Sequence, residues 1–134
     1  MAAESKTRPT DASVADFIAA AEPAARRADA EVLCRMLEEV TGEKPVMWGP
    51  TIVGFGSYRG ATGDWPRLGF SPRKAQTVAY LLGFEGQDAM LARLGKHTTG
   101  VACLYIKKLA DVDSAVLREI AEASFAEMSR RYPA

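Results

Sequence analysis

Apolar positions follow a helical rhythm at both ends of the chain and a strand rhythm in its middle. Val32, Leu33, Met36, Leu37 and Val40 recur at three- and four-residue steps, which predicts one apolar face on a helix opening near Pro23 and stopping at Gly42. Proline suits that first turn because its missing N–H would have no helical partner there, and glycine suits the left-handed stop. A shorter helix is expected before it through Val14, Phe17 and Ile18, with Ser13 as its cap and Asp16 three residues on. Near the far end Asp113 is placed to cap a helix with a buried stripe at Val116, Ile120, Ala123 and Met128, and Val112 is placed to staple to Leu117.

From Val46 the period changes to two. Residues 51–58 are rich in strand formers but include Gly54 and Gly56, which implies a bend, a bulge or a close backbone approach. Gly60, Gly63 and Asp64 mark a turn, and residues 65–70 return toward the sheet. Residues 71–74 read as a tight connection to a third strand at 77–82. A short helix over 88–94 closes at Gly95. In a fourth strand at 102–109, Leu104 and Ile106 point one way and Cys103, Tyr105 and Lys107 the other. Strands run together with helices at both ends, so the expectation is an α+β fold: an antiparallel β-sheet with the N- and C-terminal helices packed on one face and the other face open. Residues 1–12 read as a flexible N-terminal lead and 13–131 as a single domain.

At 134 residues, 48% hydrophobic and 25% charged, such a domain can fold without a metal or disulfide. No apolar run approaches the roughly 20 residues that cross a bilayer, and the polar start lacks the apolar centre of a secretory signal. Cys34 and Cys103 lie far apart and read as reduced, apolar-like residues. Together these features lead to the expectation of a cytoplasmic protein.

The formal charge of zero conceals an asymmetry. Residues 1–43 carry five Lys/Arg against nine Asp/Glu, residues 44–108 carry nine against three, and residues 109–134 carry three against five. A basic middle between acidic ends points to an anionic partner for the middle. Trp48, Ser71, Arg73, Lys74, Lys96, His97, Tyr105 and Lys107 fall on its strand ends and turns. They form the candidate ligand-binding set for a small anion or a partner protein, on a monomer or homodimer. A pI near 6.6 argues against nucleic acid.

Other chemistry finds less support. The Gly54-Phe55-Gly56 run lacks the third glycine of a dinucleotide fingerprint, since position 59 is Arg59, and no helix is expected after it. Gly95-Lys96 is followed by His97 where a phosphate-binding loop needs Ser or Thr. His97 is the only histidine, which rules out a multi-histidine metal cluster. A further alternative is an enzyme using His97 or Lys96 as acid–base residue, but no nucleophile–base pair supports it. Asp29, Glu31, Glu38, Glu39 and Glu43 decorate the second helix and offer a shallow oxygen patch for a hard cation. No other cofactor is expected.

Several strings carry a family resemblance. They are Ser13-Val14-Ala15-Asp16-Phe17-Ile18, Arg26-Arg27-Ala28-Asp29, the twelve residues from Pro45 to Gly56, Gly63-Asp64-Trp65-Pro66, Gly69-Phe70-Ser71-Pro72-Arg73-Lys74, and the fifteen residues from Gly95 to Leu109. In this order they resemble the YdhG-like family of small bacterial domains of unknown function, over about residues 13–125. The resemblance implies two helices against an antiparallel sheet. Because some relatives have been described as frataxin-like iron chaperones, it also implies an alternative in which acidic residues on the first long helix, here Glu38, Glu39 and Glu43, hold iron. Arg26, Arg27 and Arg35 interrupt that acidic run.

Overall fold

The computed structural model describes residues 9–60 and 63–133. Two helices come first, α1 (Val14–Ala19) and α2 (Ala24–Thr41). Strands β1 (Pro45–Trp48) and β2 (Ile52–Phe55) follow, then a hairpin of β3 (Tyr58–Gly60) and β4 (Gly63–Trp65), then β5 (Leu68–Pro72) and β6 (Thr77–Tyr80). Helix α3 (Gln87–Leu94), the short strands β7 (Thr98–Thr99) and β8 (Leu104–Ile106), and helix α4 (Ser114–Arg131) complete the chain. Six strands form one antiparallel sheet in the order β1-β2-β5-β6-β8-β7, and β3 with β4 forms a separate ribbon. The expected α+β class is the one observed. No helix of the described residues is long and apolar enough to cross a membrane.

The element ends follow from local chemistry. The Ser13 hydroxyl accepts the Asp16 N–H at 3.1 Å and starts α1. The Asp113 carboxylate accepts the N–H groups of Ala115 at 2.9 Å and Val116 at 3.2 Å and starts α4. Gly42 stops α2 at φ 69, donating its N–H to the Glu38 carbonyl. Gly56, at φ 68, turns the chain out of the main sheet into the β3–β4 ribbon, which realises the expected bend. The expected lead divides. Residues 1–8 lie outside the described residues, whereas the Thr10 N–H donates to the Met47 carbonyl at 2.8 Å and Pro9 bridges to Trp48.

The core lies between α2, α4 and one sheet face, with Leu33, Leu37, Phe55, Phe70, Leu104, Ile106, Leu117 and Ile120 at its centre. Leu104 and Ile106 point into it as expected, and Tyr105 lies on the other face. Three local expectations need correction. Ser71 and Pro72 belong to β5, and the turn that follows is closed by the Arg73 N–H donating to the Gln76 carbonyl at 3.0 Å. The buried stripe of α4 runs through Ala121 and Ser124, leaving Ala123 and Met128 only half-buried. On α2 the buried line is Arg26, Ala30, Leu33 and Leu37, while Val32 stays 47% exposed.

The sheet face away from the helices is closed at its centre. Trp48 packs against Gly54, where an added Cβ would meet the indole at 2.4 Å and Pro66 at 2.8 Å. Gly54 is thus the gap that admits the indole. Gly54→Ala is expected to push Trp48 out and cost about 1–3 kcal/mol of stability. Denaturant unfolding and tryptophan emission, read in a Trp65→Phe background, check both effects.

At the end of α4, Glu127 accepts from Arg130 and Arg131, each at 2.5 Å. These hydrogen bonds and charges hold its carboxyl down from 4.5 to about 2. A depressed carboxyl pKa stabilises the fold above the ordinary value, and the contribution is lost as pH falls through the folded one. The stability of wild type relative to Glu127→Gln should therefore be constant above about pH 5 and shrink between about pH 4.5 and 2. Parallel thermal unfolding across that range tests it.

Candidate functional site

Strand register gathers most of the expected ligand residues at one end of the sheet. Pro72 pairs with Thr77, Thr77 with Ile106, and Tyr105 with Thr98. The β5–β6 turn carrying Arg73 and Lys74, the exit of β8 at Lys107 and Lys108, and the approach to β7 at Lys96 and His97 consequently lie side by side. Residues separated by more than thirty positions in the chain become one basic rim.

A buried arginine holds this rim in place. Arg26, 7% exposed, donates through Nε to the Arg73 carbonyl at 2.8 Å, through Nη2 to the Lys74 carbonyl at 3.3 Å, and through Nη1 to the Lys107 carbonyl. One turn along α2, the Asp29 carboxylate accepts the Leu109 N–H at 3.0 Å. Arg26 and Asp29 therefore grip β8's exit from both sides, while Arg26 also fixes the neighbouring turn. Carbonyls on a planar five-donor guanidinium satisfy both partners without a buried carboxylate.

Two expected contacts depart from the ligand-facing placement. Trp48 is 2% exposed, sealed over Gly54, and Ser71 is fully buried with its hydroxyl donating to the Thr51 carbonyl at 2.6 Å. Both are polar or aromatic strand-end residues by sequence, but the strand continues through Ser71 and the glycine opposite Val46 absorbs the indole. Arg73, Lys74, Lys96 and Lys107 are exposed, and His97 and Tyr105 half-exposed, as a contact role requires.

Arg73 organises the polar part of the face. Its Nε reaches the Ser71 hydroxyl at 3.4 Å, and its Nη2 donates to the Tyr80 hydroxyl at 3.3 Å. Burial pushes the Tyr80 phenol up, and the Arg73 charge opposes the rise. The Tyr105 phenol is pushed up chiefly by the neighbouring Cys103 thiol, again against Arg73. Both phenols therefore stay protonated through neutral pH and can donate. Gly100 leaves room for the Tyr105 hydroxyl, 2.9 Å from where a Cβ would stand. His97 Nδ1 lies 2.7 Å from the Gly95 carbonyl, and a carbonyl only accepts, so Nδ1 is the donor in this contact.

Five arginines elsewhere are paired with carboxylates, whereas the rim cations, like Arg27, Arg35, Lys44 and Arg67, lack such a partner among the described residues. Arg59, Arg93, Arg118, Arg130 and Arg131 each sit within 4 Å of a carboxylate. Among the described residues no carboxylate lies within that distance of Arg73, Lys74, Lys96, Lys107 or Lys108. Lys74 also lines a shallow cleft of about 420 Å³ with Phe17, Ala20, Ala21, Glu22 and Pro72.

The acidic residues on and just beyond α2 are dispersed. Glu39 is held by Arg118 of α4 at 2.8 Å, Asp29 is committed to Leu109, and Glu38 and Glu43 stand exposed. Among the described residues no three His, Cys, Asp or Glu side chains gather as metal ligands would. The Cys34 thiol is pushed up to about 11, first by burial and then by Glu38, and stays protonated.

Arg26 is the residue the sequence reading missed in importance. Its signal was spacing, since positions 26, 30, 33 and 37 continue the buried line of α2, with an arginine where a hydrophobe is expected. Tyr80 and Cys103 carried no comparable signal. No family model, curated protein or solved structure matches the chain.

Removing the Arg26 fork leaves part-buried carbonyls without their donor. Arg26→Met is expected to cost about 2–4 kcal/mol, and Arg26→Lys nearly as much, because an ammonium cannot span the β5–β6 turn and β8 together. Urea unfolding of the two variants measures this. A loss below about 0.5 kcal/mol in both would remove Arg26 from its organising role.

Proposed function

We propose that this chain is a binding module that holds a small anionic ligand on the basic rim at the Arg26 end of its sheet. The observation that carries the reading is the set of five cations held together without a carboxylate partner among the described residues. Like charges brought side by side repel, and a bound anion relieves that cost. Arg73 and the Lys74, Lys96 and Lys107 ammonium groups supply the charge, while the Tyr105 phenol supplies a neutral hydrogen bond and His97 lines the rim. The rim is exposed, so each contact contributes less than the roughly 1.5–3 kcal/mol of a charge-assisted hydrogen bond away from water. Affinity therefore depends on several cations acting together. An acidic segment of a partner protein would meet the same chemistry.

The resemblance to the YdhG-like family is part of this proposal. The element order and the helix-covered antiparallel sheet support it, and the quoted strings at Gly69 and Gly95 supply the rim. Two unpaired, half-buried cysteines support a reducing compartment, and we place the protein in the cytoplasm on that basis.

A thermal-shift screen of phosphate, sulfate, nucleotides and carboxylates tests the reading. At least one anion should raise the wild-type melting temperature. Lys74→Ala and Lys96→Ala should each weaken it by about ten-fold, or about 1.4 kcal/mol. Their ligand-free melting temperatures should stay close to wild type, because exposed charges contribute little to stability. Lack of any stabilising anion would overturn the proposal, as would variants that unfold instead of only losing the ligand.

A further inference from the structure

At the opposite end of the sheet, below the entry to β5, the β3–β4 ribbon and the last turn of α4 line a shallow, open cavity of about 530 Å³. Tyr58, Arg59, Asp64, Arg67, Arg131 and Tyr132 line it. Three guanidinium groups face one carboxylate, so the lining is net positive. Two aromatic rings stand among them: Tyr58 and Tyr132 are stacked with centroids 4.3 Å apart and planes 27° from parallel.

The arginines are held differently, and this decides what they can do. Arg67 donates to the carbonyls of Ser57 at 2.9 Å, Met128 at 3.3 Å and Tyr132, which satisfies the end of α4 and locks the group. A guanidinium has five N–H donors, so two remain beyond these three bonds. Arg59 gives one nitrogen to Asp64 at 3.3 Å across the ribbon. Arg131 gives Nε to Glu127 at 2.5 Å and Nη2 to the Gly83 carbonyl at 3.3 Å. Each retains donors on its fork, which matches phosphate or carboxylate oxygens in pairs. Burial, and then Tyr132, pushes the Tyr58 phenol up, so it stays neutral and able to donate at physiological pH.

We infer that this cavity is a second anion site, built for a flat aromatic phosphate of the nucleotide class, with the phosphate on the guanidinium forks of Arg59, Arg67 and Arg131 and the ring against the Tyr58–Tyr132 pair. Aromatic side chains beside arginines favour such a ligand over inorganic phosphate, because ring stacking adds to the ionic contact and planar guanidinium groups stack on rings themselves. The site stands independently of the Lys96 rim, from which it is separated by the length of the strands.

Isothermal titration with a nucleoside monophosphate, phenyl phosphate and inorganic phosphate tests the inference. The two aromatic phosphates should bind at least about ten-fold more tightly than inorganic phosphate. Arg59→Gln, at an exposed side chain not needed for folding, should weaken them about five-fold, and Tyr58→Leu should erase their advantage over inorganic phosphate. Asp64→Asn should tighten them, since it removes the carboxylate that competes for Arg59, a gain a merely structural role would not produce. Lys96→Ala should leave them unchanged even as it weakens an anion on the rim. Equal affinity for all three probes, indifference to Arg59→Gln, loss of binding in Lys96→Ala, or no binding at all would each overturn the site.

Discussion

The buried guanidinium of Arg26 is the contact on which the arrangement of the basic end of the sheet depends. A charge taken from water must be compensated, and here the compensation comes from three backbone carbonyls on the β5–β6 turn and the exit of β8. Those segments are distant in the chain and adjacent only because β6 pairs with both β5 and β8. Since the carbonyls are drawn inward to Arg26, the side chains of Arg73, Lys74 and Lys107 are left at the surface. An interior cation thus organises a surface of cations, and the Asp29 bond to the Leu109 N–H adds a second tie from the same helix.

The far face of the sheet shows a different use of packing. A β-sheet with helices on one side exposes its other side unless side chains or a partner cover it. Here Gly54 lets the Trp48 indole lie on the backbone, and Val78 and Ser71 are buried beside it. What remains available is the end of the sheet, where Arg73 bridges toward the Tyr80 and Tyr105 phenols and the turns begin. The exposed polar and charged groups are thereby concentrated at the margins of the face, on the turns of a rigid scaffold.

The two ends of the sheet are both basic but are built on opposite principles. At the Arg26 end the cations are mainly lysines without carboxylate partners among the described residues. At the β3–β4 end they are arginines, each anchored by a carboxylate or by carbonyls, with a stacked tyrosine pair between them. A mobile ammonium suits a compact anion of loose geometry, while a fixed fork beside a ring suits a planar one. The charge asymmetry of the chain alone does not distinguish these environments.

The helices, their caps at Ser13 and Asp113, the stop at Gly42, the alternation of Leu104 and Ile106 and the α+β class are all legible in the sequence. Each is set by interactions between residues a few positions apart or by a short apolar period. The rim residues Arg73, Lys74, Lys96 and Lys107 are legible as a basic group in turns, but their adjacency is not, because it arises from strand pairing. The burial of Trp48 needs Gly54 on a neighbouring strand, and that of Ser71 needs the Thr51 carbonyl across the sheet. The role of Arg26 needs three carbonyls up to 81 positions away. Local pattern therefore determines which elements form and which residues are available, whereas register across the sheet decides which cations meet, which aromatics are sealed, and which arginine holds them.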